Sequence, residues 1–293
     1  MEKPANHCTD RLRTIVMFEC MEKISKAQVK LVRSLQQKKF RDELGLFVAE
    51  GEKCVEELRK GFELEYRILS TDYRPNQSVL CQAEPVRTLS ATRSELEQMS
   101  GLRTPQGVIG VFKKAVSASG LSGETIVPFA GKEASLILAL DGIQDPGNLG
   151  TIIRTCDWFG VHDIFCSRDT ADCYNPKVVQ ATMGALARVR LHYVDLPEWI
   201  EGIKNQESGI RIYGTLLDGK NMYEVLQQRN LTGGDGHEVI IMGNEGNGIT
   251  ELVRQLVTHP IRIPSYPNKE ASDVVESLNV SIATAIVLAA FRR

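Results

Sequence analysis

The amino-acid sequence predicts an α/β protein: a C-terminal domain built on a mainly parallel sheet, preceded by a smaller α/β domain. Three observations carry the prediction. Leu136-Ile137-Leu138-Ala139-Leu140 is a continuous apolar run with no polar alternation, which suits a strand buried on both faces of a parallel sheet. Strand-like runs recur at 163–166, 211–215 and 238–242, and helical text separates them at 152–159, 176–187 and 251–257. Shorter strands and helices alternate in the same way over the first hundred or so residues.

Taken in order, residues 1–20 show no clear period and read as a loose extension. Met21 opens a more coherent pattern and is a natural place for translation to start. From Ser25 the text turns helical, with Ile24, Leu31 and Leu35 on one face and Lys26, Lys30 and Arg33 on another. Ser25 through Arg41 contains basic residues, including Lys38, Lys39 and Arg41, and no acidic ones. Such a stripe reads either as a solvated helix face or as a surface that contacts nucleic-acid phosphates. A strand at Leu46–Ala49, a helix from Gly51 to Lys60 and a strand at Tyr66–Ser70 follow. Ser90 is expected to cap a helix through Met99, with Ser94 and Glu97 as an alternative capping box. A strand at Gly107–Phe112 closes the unit. Between Lys114 and Lys132 the text is rich in Ser, Gly and Ala, as a linker would be. The expected organisation is an extension at 1–20, a small domain at 21–115, a linker at 116–132 and a larger domain at 133–293. Val280 to Phe291 reads as a buried amphipathic helix that ends the second domain.

Bulk properties narrow the function classes. Hydrophobic content of 42% and charged content of 25% are ordinary for a soluble globular protein. A net charge of -2 excludes a chain coated in positive charge, but leaves room for a local basic patch. The seven cysteines, at 8, 20, 54, 81, 156, 166 and 173, form no CxxC pair and no cluster with zinc spacing. No metal site is expected, and reduced thiols fit a cytoplasmic protein. No segment reaches the roughly 18–20 apolar residues of a membrane helix. Thr14–Phe18 is too short for the apolar core of a signal peptide, and Glu19 ends it.

Three polar, turn-rich signatures each adjoin an apolar run: Asp141–Gly150, Gly243–Gly248 and Glu276–Ser281. In a parallel sheet, ligands collect at the carboxyl ends of the strands, so these loops are expected to converge on one small-molecule site. Each carries an alternative local reading. Asn148 suits a helix N-cap after the Asp-Pro-Gly turn, and Ser277 suits capping of the last helix, which leaves Asn279 unexplained. The surface is the ordinary place for Arg154, but its setting between Ile152-Ile153 and Trp158-Phe159 favours an inward-facing charge. The Gly243–Gly248 loop lacks the lysine of a P-loop and does not match GxGxxG. Glu245 would repel phosphate there, which points away from ATP and NAD.

Taken together, these residues resemble the SpoU/TrmH family of SPOUT methyltransferases. The resemblance rests on Asn148 through Arg154, on Gly243-Asn244-Glu245-Gly246-Asn247-Gly248-Ile249 and on Ser277 through Ala283, with Met183-Gly184-Ala185 between them. It covers about residues 133–293; residues 21–115 resemble the family's substrate-binding domain more loosely. The resemblance implies methylation of a ribose 2′-hydroxyl in RNA by S-adenosyl-methionine, a C-terminal trefoil knot and a homodimer formed through the knotted domain. It maps the cofactor pocket onto Gly243, Ile263 and Leu278, with Thr215 and Met242 nearby. Arg154 would activate the 2′-hydroxyl, or clamp an adjacent phosphate and stabilise the oxyanion. Asn148, Glu245, Ser277 and Asn279 would orient Arg154 and the ribose. The connection 265–275 is longer than is typical of the family, as a surface insertion or as a further RNA contact. Ribosomal RNA fits the basic N-terminal helix and separate recognition domain somewhat better than tRNA. The rival readings are an RNA-binding or ribosome-assembly factor without turnover, and a base-directed RNA methyltransferase.

Overall fold

The computed structural model describes residues 21–73, 86–115, 135–207, 209–231, 236–266 and 277–292. The extension at 1–20, the linker at 116–132 and residues 267–275 of the long connection lie outside the described residues. Two compact units are present. One comprises the described chain up to Ala115 together with Tyr174–Gln180, and the other the remaining described chain.

The first unit contains β1 (Glu22–Lys23), α1 (Lys26–Ser34), α2 (Lys38–Leu44), β2 (Leu46–Glu50), α3 (Glu52–Leu58), β3 (Leu64–Ser70), β4 (Thr88–Ala91), α4 (Arg93–Met99) and β5 (Val108–Lys113). Its sheet runs β1-β4-β3-β5-β2. The pairs β1–β4 and β4–β3 are parallel, and β5 is antiparallel to both β3 and β2. Val32 of α1 and Leu35, which follows it, pack with Leu96 and Met99 of α4 over Ile68, Leu89 and Val111 of the sheet.

Helix starts in this unit follow side-chain capping chemistry. Ser25 opens α1 with a reciprocal capping box: its Oγ accepts from the Gln28 backbone N–H at 3.2 Å, and Gln28 Oε1 accepts from the Ser25 N–H at 2.9 Å. The expected cap of α4 needs correcting. Thr92 and Glu95 form the capping box, whereas Ser90 is a residue of β4 that pairs with Leu69. Ladder pairing with β3 holds the chain extended through Ala91, so the helix begins later than the first available cap.

Arg41 is also corrected. It is buried, and its Nη1 donates to the carbonyls of Leu35 at 2.8 Å and Gln36 at 3.0 Å. The helical text from Ser25 to Arg41 breaks between α1 and α2, which rotates Arg41 out of the basic stripe. There it satisfies carbonyls at the end of α1 that lack partners within that helix.

The second unit contains β6 (Leu136–Asp141), α5 (Pro146–Trp158), β7 (Asp163–Ser167), the end of α6 (Pro176–Thr182), a 3₁₀ turn (Ala185–Ala187) and β8 (Arg190–Val194). It continues with α7 (Leu196–Gln206), β9 (Arg211–Asn221), α8 (Met222–Leu231), β10 (Glu238–Gly243), α9 (Glu251–Arg254), β11 (His259–Arg262) and α10 (Val280–Phe291). The six-stranded sheet runs β11-β9-β10-β6-β7-β8, and every pairing in it is parallel. β10 therefore inserts between β6 and β9, two strands that precede it in sequence. Leu138, Leu140, Ile164, Phe165, Ile240 and Ile241 are fully buried in the central strands, and each stabilises the fold by about 1.5–3 kcal/mol. Phe165 stacks on Trp199 of α7 at 3.9 Å between ring centroids.

At the start of β10, the buried Glu238 carboxylate accepts from Arg211 at 3.1 Å and from Arg229 at 2.7 Å. These bonds join that end of the sheet to α8. Cys54, Cys156, Cys166 and Cys173 are buried and form no disulfide among the described residues, and burial pushes the Cys54 thiol up to about 11. They fill core rather than offering reactive thiolates. Among the described residues no helix is long and apolar enough to cross a membrane.

Candidate active site

The site is built where parallel strands end. The last residues of β6 and β10 lie side by side, with Gly243 paired to Asp141 and Met242 to Leu140. The loops leaving these strands carry the first two sequence signatures.

After β6 the chain turns into α5, whose cap is Asp145 and not Asn148. The Asp145 carboxylate accepts from the Asn148 backbone N–H at 2.8 Å, and Pro146 occupies the first turn. Asn148 thus sits inside the first turn with its side chain free for other work. Its Nδ2 donates to Glu245 Oε1, and its Oδ1 accepts from Asn279 Nδ2 at 2.9 Å. Asn279 in turn caps α10: its Oδ1 accepts from the Ser281 N–H at 3.0 Å and the Ile282 N–H at 3.4 Å. Capping of the last helix therefore falls to Asn279, the residue that the sequence left unexplained. Ser277 is exposed and makes no hydrogen bond among the described residues.

Three stretches far apart in sequence meet in this chain of amides and carboxylate. The second oxygen of Glu245 has no hydrogen bond among the described residues. A carboxylate with one oxygen held and one open can accept from an incoming hydroxyl.

Arg154 lies on the same helix as Asn148 but not on the same face. Leu149, Ile152, Ile153 and Cys156 are buried, whereas Gly147, Thr151, Arg154 and Trp158 form an exposed stripe. The expected inward-facing charge is not found, because the flanking isoleucines take the core face and the helical period turns Arg154 outward. No ion pair engages its guanidinium among the described residues. Trp158, 85% exposed, continues the stripe, and α10, which packs against α5, presents Ile282 at 54% exposure.

The residues mapped to a cofactor pocket lie in or beside β9, β10, β11 and α10. Thr215 lies in β9, and its Oγ1 donates to the Ile241 carbonyl at 3.0 Å. Met242 and Gly243 finish β10, Ile263 follows β11, and Leu278 precedes α10. Ile263 is half-buried, and Leu278 is an exposed apolar side chain. Apolar side chains beside backbone amides at the ends of parallel strands suit an adenosyl group. Gly243 is required by close approach: a Cβ there would lie 2.3 Å from the Gly248 carbonyl carbon and 2.4 Å from the Ile249 nitrogen. Among the described residues, no group of three or more His, Cys, Asp or Glu is placed to hold a metal ion.

Sequence reasoning missed the residues that fold the Glu245 loop. Asp141 is buried, and its Oδ2 accepts from the Thr250 N–H at 2.7 Å and the Thr250 hydroxyl at 2.8 Å. Asn244 bonds both to its own turn and to Gly142. An Asn directly after a strand and before Glu-Gly carries an Asx-turn signature that could have drawn notice. In the first unit, Lys26, Lys30, Arg33, Lys38 and Lys39 are exposed and make no ion pair among the described residues.

Comparison with known proteins gives the family of the chain. The profile of the SpoU rRNA Methylase family matches residues 135–289, and that of the MRM3-like substrate binding domain matches residues 26–110. The 23S rRNA (guanosine(2553)-2'-O)-methyltransferase RlmP of Bacillus subtilis is 27% identical over 268 residues, covering 92% of this chain and 97% of the relative. An uncharacterized tRNA/rRNA methyltransferase of Synechocystis is 30% identical over 271 residues, covering 90% of each chain. Among solved structures, the AdoMet-bound rRNA methyltransferase from Sinorhizobium meliloti is similar with a TM-score of 0.72 and 27% identity. That match covers 93% of this chain and 96% of the other.

Proposed function

The chain belongs to the SpoU rRNA methylase family, and from that premise we propose that it methylates a ribose 2′-hydroxyl in ribosomal RNA, with S-adenosyl-methionine as donor. The observation that carries this reading is the bonded chain Glu245–Asn148–Asn279, in which residues of all three signatures meet beside the strand ends. Thr215, Met242, Gly243, Ile263 and Leu278 would hold the cofactor. When bound, that group supplies an electrophilic methyl on a sulfonium.

The chain's own residues then have a positioning task, since correct placement of reacting groups lowers a barrier by several kcal/mol, up to about 7–11. Glu245 accepts from a ribose hydroxyl through its open oxygen. Asn148 and Asn279 fix that carboxylate, and Ser277 offers a further hydroxyl at the same approach. Arg154 clamps a substrate phosphate and stabilises the developing oxyanion. Its exposure makes it available to RNA, and its permanent charge makes it a poor base.

Residues 133–293 form the catalytic domain in this reading, and residues 21–115 the RNA-substrate domain. Insertion of β10 between two earlier strands supports a knotted C-terminal threading. Buried thiols outside any disulfide suit the reducing cytoplasm. Exposed Trp158 on α5 and exposed Ile282 on α10, two helices that pack together, support a homodimer through α5 and α10, since exposed apolar surface marks protein contacts. Trp158→Glu is expected to convert the species seen by sedimentation from dimer to monomer; an unchanged dimer would place the interface elsewhere.

The test of the reaction is transfer of labelled methyl from S-adenosyl-methionine to ribosomal RNA, followed by alkaline digestion. Label retained in alkali-resistant dinucleotides marks a 2′-O-methyl product. Label in mononucleotide bases would make the enzyme base-directed. RNA binding without transfer would make it an assembly factor.

The exposed Lys26, Lys30 and Arg33 are the proposed phosphate ligands, together with Lys38 and Lys39. Replacing the first three by Ala is expected to weaken RNA binding and to lower the slope of log affinity against log salt by about 0.7–0.9 for each phosphate left without its cation. Arg41→Ala is expected to do the opposite, leaving that slope unchanged and costing about 1.5–3 kcal/mol of stability. An equal fall in slope for both variants would dissolve the distinction between stripe and cap.

A further inference from the structure

We propose that Asn244 is the positioning residue that sets the Glu245 carboxylate against Asn148, acting by clasping the turn after β10 to the turn after β6. The inference rests on the reading of Glu245 given above.

The local chemistry is fully described by the hydrogen bonds of one side chain. Asn244 Oδ1 accepts from the backbone N–H groups of Gly246 at 2.8 Å and Asn247 at 3.2 Å. Its Nδ2 donates to the Gly142 carbonyl at 2.7 Å. The backbone of Asn244 also closes the turn, with N–H to the Gly248 carbonyl at 2.9 Å and carbonyl from the Gly248 N–H at 2.8 Å. Glu245 follows directly and is exposed, so no core packing holds its side chain. What places it is the shape of the turn, and Asn244 defines that shape from both ends.

The anchor is itself rigid. Gly142 donates its N–H to Ser167 Oγ at 2.8 Å, and it adopts a φ of 72° that L side chains rarely take. One residue back, buried Asp141 holds Thr250 on the far side of the turn. The Glu245 turn is therefore tied to the end of β6 at both its entrance and its exit. Only the entrance tie runs through the residue next to the carboxylate. An amide is needed there because the two tasks call for opposite polarity: an acceptor facing the 246–247 N–H groups and a donor facing a carbonyl.

Asn244→Asp separates those tasks, since the carboxylate keeps the acceptor and loses the donor to Gly142. The experiment measures kcat, the KM for RNA and the calorimetric Kd for S-adenosyl-methionine, and follows hydrogen exchange at residues 245–248. The expected result for Asn244→Asp is a fall in kcat of about 10- to 100-fold, with KM and Kd within about twofold of the wild type. Asn244→Ala is expected to fall at least as far and to lose exchange protection at Gly246 and Asn247 while β10 keeps its own. Wild-type kcat in folded Asn244→Asp and Asn244→Ala proteins would overturn the proposal. So would equal losses of kcat and cofactor affinity, which would mark general damage to the site. Failure of the wild-type chain to methylate any RNA would instead overturn the functional reading, and the exchange result would still report whether Asn244 holds the turn.

Discussion

Arg154→Ala is expected to lower turnover by at least about a hundredfold, the scale on which preorganised charge at a developing oxyanion acts, while the Kd for S-adenosyl-methionine stays within about twofold. The separation follows from where Arg154 sits. It projects from the exposed face of α5, whereas the proposed cofactor residues lie within β9, finish β10, follow β11 or precede α10. The guanidinium makes no ion pair among the described residues, so the chain loses no internal partner and its melting temperature should barely move. Single-turnover methylation and calorimetric titration of the donor on the same preparation give both numbers. Arg154→Lys is informative beside it: a point charge remains, but the planar fork that grips phosphate in two places is lost. Retained turnover in Arg154→Ala would remove this residue from the reaction.

Gly243→Ala is the second large effect, and it acts through the backbone. The added methyl would lie 2.3 Å from the Gly248 carbonyl carbon, 2.4 Å from the Ile249 nitrogen and 2.6 Å from the Gly248 oxygen. These atoms cannot swing aside as a side chain would, because Gly248 is held by two hydrogen bonds to Asn244. Relief requires the turn to open, at about 1–3 kcal/mol for overpacking of this kind. A fall of several degrees in melting temperature is expected, with donor affinity reduced at least tenfold, since Gly243 is itself proposed to touch the donor. Thermal unfolding with and without S-adenosyl-methionine reads both effects. An alanine variant that melts and binds like the wild type would show that the turn can retreat freely.

Much of the fold was legible because burial on both faces leaves a plain mark. The runs at 136–140 and 239–242 are apolar throughout, and they became the adjacent central strands of the sheet. The edges left weaker marks. β8 carries Arg190 and His192 and is only partly buried, while β11 includes Pro260; neither reads as a strand by composition. Long-range pairing decides such segments, and a single sequence does not display it.

Within the candidate site, the meeting of three loops was foreseeable from their positions after strands, but the division of labour was not. Asp145, Asn148, Ser277 and Asn279 are all chemically able to cap a helix. Which ones do depends on where the helix begins, and that depends on packing. The same limit explains Arg41 and Arg154. Each was assigned a face by its neighbours in sequence, and each was turned the other way, one by a break between helices and one by the phase of a single helix.

Asn279 closes the helix that ends the described chain and also holds Asn148, 131 residues earlier. One amide thus couples the docking of the last helix to the placement of Asn148, and through it to the Glu245 carboxylate.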